Sequence, residues 1–232
     1  GINSNRIGHF AGNIEVYLTK KKAKIDQPNK KYYDICFYEL NTSNESVCNK
    51  QLDKMVKRIL RIYPTFPFFY TRKLIEKLKP YFKFLSRHLV IYHGHDDRDY
   101  NHLFNKFDSS FYFTKQEIEN GDSILKKMGI PKNSEFVCFT VRDSAYLKSK
   151  FTNYDFSYHD YRDCNIDNFL LAAETLAANG YYVLRMGKVV SSKLSSKNSM
   201  IIDYANSEFK SDFMDIYLGA NCKFIVTTQT GY

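Results

Sequence analysis

From residue 114 onward, short apolar runs alternate with helical patterns, and that alternation restricts this half of the chain to an α/β sheet of parallel strands. Thr114-x-x-Glu117 is a capping box opening a helix through about Met128, which Gly129-Ile130-Pro131 closes. Residues 136–141 (FVCFTV) are apolar and β-branched without alternation, as in a strand buried on both faces. A polar and aromatic loop is expected over 142–164. Ile166, Phe169, Leu170, Ala173, Leu176 and Ala177 then recur with helical spacing up to Gly180. Further strands are read at 181–186, 200–204 and 223–227, and Ser211 caps a helix carrying Asp212 and Asp215 in its first turn. The order of elements predicts a doubly wound sheet.

Residues 1–130 give weaker signals of a second α/β unit. Helices are expected from 7 to about 20, at 46–62 and at 71–84, with strands at 32–40 and 89–92. Gly, Pro, Asn and Ser cluster at 128–135, so the predicted domains are 1–130 and 131–232. With 232 residues, 44% hydrophobic and 25% charged, the chain is long enough and apolar enough for two cores, which excludes disorder as its overall state. No run approaches the ~20 apolar residues of a membrane span. The five cysteines (36, 48, 138, 164 and 222) lack C-x-x-C spacing and suit reduced thiols. A soluble cytoplasmic protein is expected.

The net charge of +9 is localised: residues 131–232 balance 11 basic against 11 acidic groups, while 49–87 hold 11 basic against 2 acidic. That stretch interleaves its charges with Tyr63, Phe66, Phe68, Phe69, Tyr70, Tyr81, Phe82 and Phe84. The composition fits an anionic membrane surface, with the protein peripheral on the inner face of the cytoplasmic membrane. Nucleic acid is the competing partner and is not expected; a solvated helix face with a core-facing aromatic stripe is the structural alternative.

Ligands of open α/β sheets sit beyond the carboxyl ends of the strands. The polar residues there are Arg142-Asp143-Ser144, Arg185-Met186-Gly187, Asp203-Tyr204 and Thr227-Thr-Gln229-Thr230-Gly231. Arginine forks and the N–H groups of a Gly-containing turn suit a diphosphate.

The strings Asn5-Arg-Ile-Gly-His9-Phe-Ala-Gly-Asn13-Ile-Glu15-Val-Tyr-Leu18, Val141-Arg-Asp-Ser-Ala-Tyr-Leu147, His159-Asp-Tyr-Arg-Asp163, Arg185-Met-Gly187, Ile202-Asp-Tyr-Ala205 and Ser211-Asp-Phe-Met-Asp-Ile-Tyr217 carry a further signal. Together they resemble a family of bacterial glycosyltransferases encoded in surface-polysaccharide loci, and the resemblance covers nearly the whole chain. It implies two Rossmann-like domains in the GT-B arrangement, an acceptor-side domain followed by a nucleotide-sugar-binding one. Family members usually continue past the turn at Gln229, so the chain is expected to be a fragment with an incomplete C-terminal domain. The substrates implied are a nucleotide-sugar and a surface glycan or lipid-linked acceptor, with no resident cofactor or metal. On this resemblance Arg142, Arg185 and the backbone at Thr230 and Gly231 neutralise the leaving diphosphate. Asp143, Gly187, Asp203, Tyr204 and Gln229 complete the donor site, while Gly8, Asn13, His159, Arg162 and Asp163 position substrate. His9 is the expected base for the acceptor hydroxyl, with Glu15 and Asp97 in reserve.

Two other readings remain open. Strand-like residues 89–92 lead into His93-x-His95-x-Asp97, a spacing similar to metal-dependent hydrolases, although Arg98 stands where a further His would be needed. The other is a protein that binds nucleotide or glycan without catalysis.

Overall fold

The computed structural model describes residues 1–39, 47–90, 98–150 and 155–228. The chain divides into two compact units, Gly1–Tyr112 and Phe113–Tyr232. The division lies at Tyr112/Phe113, whereas the Gly/Pro cluster placed it at 128–135; the intervening helix packs with the second unit.

The first unit holds helix α1 (Ile7–Lys22), strand β1 (Cys36–Phe37), helix α2 (Lys50–Ile59), strand β2 (Ile62–Tyr63) and helix α3 (Thr65–Leu78). β1 and β2 pair in parallel, and Ile2 forms a parallel bridge to Tyr38 on the same sheet. Its core takes Phe10, Ile14 and Leu18 from α1, Leu52, Met55 and Val56 from α2, and Ile2, Phe37 and Leu103. The Asn49 side chain accepts from the Leu52 N–H at 2.9 Å and so starts α2 later than the expected residue 46. Of the expected strand at 32–40, Cys36–Phe37 form β1 and residue 40 lies outside the described residues; the expected helix at 71–84 ends at Leu78, and 83–88 form a 3-10 turn. Of 89–92, Leu89 and Val90 are not in a strand; the rest lies outside the described residues.

The second unit contains α4 (Lys115–Lys127), β3 (Phe136–Thr140), α5 (Ala145–Lys150), α6 (Leu170–Ala178), β4 (Tyr182–Arg185), β5 (Ile201–Ile202), α7 (Asp212–Asn221) and β6 (Ile225–Thr227). Among the described residues its four strands are all parallel in the order β5-β4-β3-β6, with Val137 opposite Val183 and Phe139 opposite Val226. Both faces of the sheet are covered, which is why 136–141 show no polar alternation. Phe136, Cys138, Leu184 and Met186 pack with Met214, Tyr217 and Leu218 of α7 and with Ile124 and Leu125 of α4. On the opposite face Val137, Phe139 and Val183 meet Ala173 and Ala177 of α6. This is a mixed α/β, Rossmann-like unit, as the alternation predicted. The capping box at Thr114 and Glu117 is formed, and Gly180 adopts φ +91°, the left-handed conformation that ends α6. The expected loop over 142–164 instead contains α5 and a 3-10 turn at Ser157–Arg162.

Gly121 of α4 faces the Tyr217 ring so closely that an added Cβ would sit inside it. Tyr217 cannot swing aside freely, since its hydroxyl donates to Asp122 Oδ1 at 2.7 Å. Gly121→Ala is therefore expected to destabilise by about 1–3 kcal/mol through overpacking, even though alanine favours a helix over glycine by about 1 kcal/mol. A denaturant titration reads the sign directly.

Candidate functional site

In the second unit the chain runs β3, β4, β5 toward one edge of the sheet and returns to place β6 on the other side of β3. The carboxyl ends of β3 and β6 therefore flank the topological switch point, where ligands of such sheets bind. Three hydrogen bonds shape it. The Thr228 N–H donates to Thr140 O at 3.1 Å, the Arg142 N–H donates to Thr228 Oγ1 at 2.8 Å, and the Cys164 N–H donates to Arg142 O at 3.0 Å. Arg142 is thereby anchored by its backbone from both sides, and its side chain extends beyond the sheet.

The Arg142 guanidinium lies 3.3 Å from Asp163 (Nε to Oδ1), and neither atom completes a well-directed hydrogen bond. Arg142 also lines a cavity of about 250 Å³ with Ser144, Leu147, Lys148, Asp155, Phe156, Ser157 and Asp160. That volume falls short of the ~300–1,000 Å³ of pockets that enclose a whole small molecule, and suits one portion of a larger ligand. The wall offers two cations for an anionic group and two carboxylates and two hydroxyls for neutral donors and acceptors, with the Phe156 ring, itself beside Tyr158 at 6.2 Å between centroids, completing it. Lys148, Asp155, Phe156 and Asp160 were not singled out from the sequence. The usable signal was Asp143 preceding Ser144-Ala145: Asp143 Oδ1 accepts from the Ala145 N–H at 2.9 Å and begins α5, which carries Lys148.

The other sequence-derived donor residues are held differently. Arg185 is 1% exposed, its Nη1 donating to Ser192 O at 2.9 Å and lying 3.3 Å from Asp203 Oδ1. Asp203 in turn accepts from the Leu194 N–H at 2.9 Å and from Asn206 Nδ2 at 2.8 Å. This buried ion pair pins the 188–200 loop over the ends of β4 and β5. Asp143 ties down the same loop, accepting from the backbone N–H and hydroxyl of Ser191 at 2.9 and 3.0 Å. Gly187 has φ +153° and lies so close to Val190 that a Cβ would clash, so the loop needs glycine at its start. Tyr204 is fully buried, its hydroxyl 2.7 Å from Asp215 Oδ1. Burial pushes the Asp215 carboxyl above the usual range, and the Tyr204 hydroxyl opposes that by hydrogen-bonding the anion. Arg185, Asp203 and Tyr204 thus serve the framework around the switch point, while Arg142 faces its cavity. Arg162 rests on its neighbour, Nε to Tyr161 Oη at 3.0 Å. His159 belongs to the 3-10 turn Ser157–Arg162. Gln229, Thr230 and Gly231 lie outside the described residues.

In the first unit, α1 places His9 and Asn13 four residues apart on one face and Glu15 on another. Asn13 lines a cavity of about 220 Å³ with Ile2, Asn3, Ile14 and Glu39. Glu15 Oε1 accepts from the Ser110 N–H at 2.8 Å, fixing the 108–112 segment to α1. Gly8 lies in the first turn of the same helix. His93, His95 and Asp97 lie outside the described residues, and among the described residues no group of three or more His, Cys, Asp or Glu side chains is placed to hold a metal ion. No described helix is long and apolar enough to cross a membrane.

Comparison with protein-family models, with curated proteins and with solved structures gave no match.

Proposed function

We propose that the chain is a glycosyltransferase of the GT-B arrangement that moves a sugar from a nucleotide-sugar to a surface glycan or lipid-linked acceptor. The observation supporting it most is Arg142 at the switch point of a parallel sheet, beside a cavity that also presents Lys148, two hydroxyls and two carboxylates. In this reading the two cations take the diphosphate, and Asp155 and Asp160 accept from sugar hydroxyls. The acceptor oxygen bonds to the anomeric carbon as that carbon's bond to the diphosphate oxygen breaks. The leaving electron pair stays on the diphosphate, where Arg142 offsets the charge, and the acceptor proton passes to a general base, the role for which the family resemblance offers His9. Asp163 holds the guanidinium in position before the donor arrives.

Calorimetric titration against UDP, GDP, CMP and dTDP, with and without EDTA, is the test. A single nucleotide bound without metal supports the reading and names the donor class. Arg142→Ala should weaken that binding by about 1.5–3 kcal/mol, roughly ten- to hundredfold in Kd. Unchanged affinity in a folded variant removes Arg142 from the site. Binding without turnover on any acceptor favours a non-catalytic binder, and no nucleotide response with destabilisation by EDTA favours the hydrolase built on His93, His95 and Asp97.

A further inference from the structure

None of the fourteen residues of α3 is buried. Its inward stripe is half-covered: Phe68 stacks on Phe37 with ring centroids 6.3 Å apart and meets Tyr63 edge-on at 5.4 Å, and Arg72 pairs with Glu39. The opposite face carries Tyr70 and Leu74, four residues apart and 57% and 56% exposed, and Phe66, 73% exposed at the non-helical kink before them, joins it by setting its ring against Tyr70 at 5.4 Å. The segment after the helix adds exposed Tyr81, Phe82 and Phe84, the last two with ring centroids 6.1 Å apart. Exposed apolar side chains are ordinary when scattered, but contiguous ones mark an interaction surface.

The charges around this surface are almost all of one sign. Residues 65–90 contain six Lys and Arg against Glu76 alone, and Glu76 sits 3.4 Å from both Arg72 and Lys73. Lys77, Lys79, Lys83 and Arg87 form no ion pair among the described residues. Rings and a leucine bordered by long cationic side chains match a bilayer boundary: apolar groups enter below the headgroups while the lysine stems snorkel to anionic phosphates. A nucleic acid would use the rings and the charge but leave Leu74 without a function.

We propose that the exposed face of α3 and the following segment to Arg87 dock on an anionic lipid bilayer, with Phe66, Tyr70, Leu74 and Tyr81 entering the interface. The inference does not depend on the glycosyltransferase reading. It narrows the basic segment 49–87 to its second part, because α2 turns Leu52, Met55 and Val56 into the core.

Co-sedimentation of the full chain with phosphatidylcholine vesicles, with and without phosphatidylserine and at low and high salt, tests it. The chain is expected to pellet with the anionic vesicles and to be released by salt. Lys77→Glu/Lys79→Glu/Lys83→Glu should lower partitioning on the order of 100-fold. Tyr70→Ser/Leu74→Ser should lower it even at low salt, which a purely ionic contact would not show. An unchanged thermal midpoint establishes that the variants fold. Absence of pelleting with anionic vesicles overturns the proposal, as does pelleting that neither variant alters. Retention on RNA in place of vesicles, or a dimer that Tyr70→Ser/Leu74→Ser dissociates while vesicles are ignored, also overturns it and identifies the true occupant.

Discussion

Asp203→Ala is expected to destabilise the second unit by about 3–5 kcal/mol, the cost of removing one partner of a buried ion pair. The loss exceeds that of a single contact because Asp203 joins three elements: Arg185 at the end of β4, the Leu194 N–H in the loop, and Asn206 after β5. Without the carboxylate the Arg185 guanidinium, 1% exposed, keeps Ser192 O as its hydrogen-bond acceptor and is otherwise desolvated. Arg185→Met in the Asp203→Ala background should recover part of the loss, since it removes the stranded charge while filling most of its volume. Urea denaturation of the single and double variants measures both terms. A loss below about 1 kcal/mol for Asp203→Ala would show the pair to be solvated, and would return Arg185 and Asp203 to direct donor binding.

The same pair shows where local sequence stops being informative. An arginine directly after a strand has the same neighbours whether it reaches solvent or is enclosed; what decides is a carboxylate eighteen residues away and a loop folded over both. Arg142 and Arg185 therefore looked equivalent in sequence and differ in the structure, one beside a cavity and one sealed. The helix ends were legible because their determinants are local. Thr114 and Glu117 cap each other, Ser211 accepts from the Met214 N–H at 3.1 Å, and Gly180 supplies a left-handed residue. The central strand was legible because burial on both faces leaves an unbroken apolar run. In the first unit the sheet rests on β1 and β2, too short for any periodicity to show, and the aromatic residues of 63–84 divide between half-buried and exposed by tertiary contact alone. Composition there gave the charge but not which rings face outward.

His9→Ala is expected to leave nucleotide binding intact and to lower the transfer rate by about 10²–10⁴-fold, the usual contribution of a general base. The expectation follows from the proposed reaction, in which the family resemblance gives His9 the role of base. Its imidazole makes no hydrogen bond among the described residues, whereas Glu15, the other candidate on that helix, accepts from the Ser110 N–H through Oε1 and keeps Oε2 buried without a partner. The Oε1 contact gives Glu15 a structural role that His9 lacks, and that difference is what the variants separate. Glu15→Gln retains an acceptor oxygen for Ser110 and so should change neither stability nor rate by more than a few-fold. Glu15→Ala leaves that backbone N–H unpaired and should cost about 1–3 kcal/mol of stability without a matching loss in rate per folded molecule. Single-turnover assays of the three variants, each normalised to its folded fraction, separate the two roles. Near-normal turnover in His9→Ala, together with a large rate loss in Glu15→Gln at unchanged stability, would transfer the base to Glu15 and make His9 a residue of the helix surface.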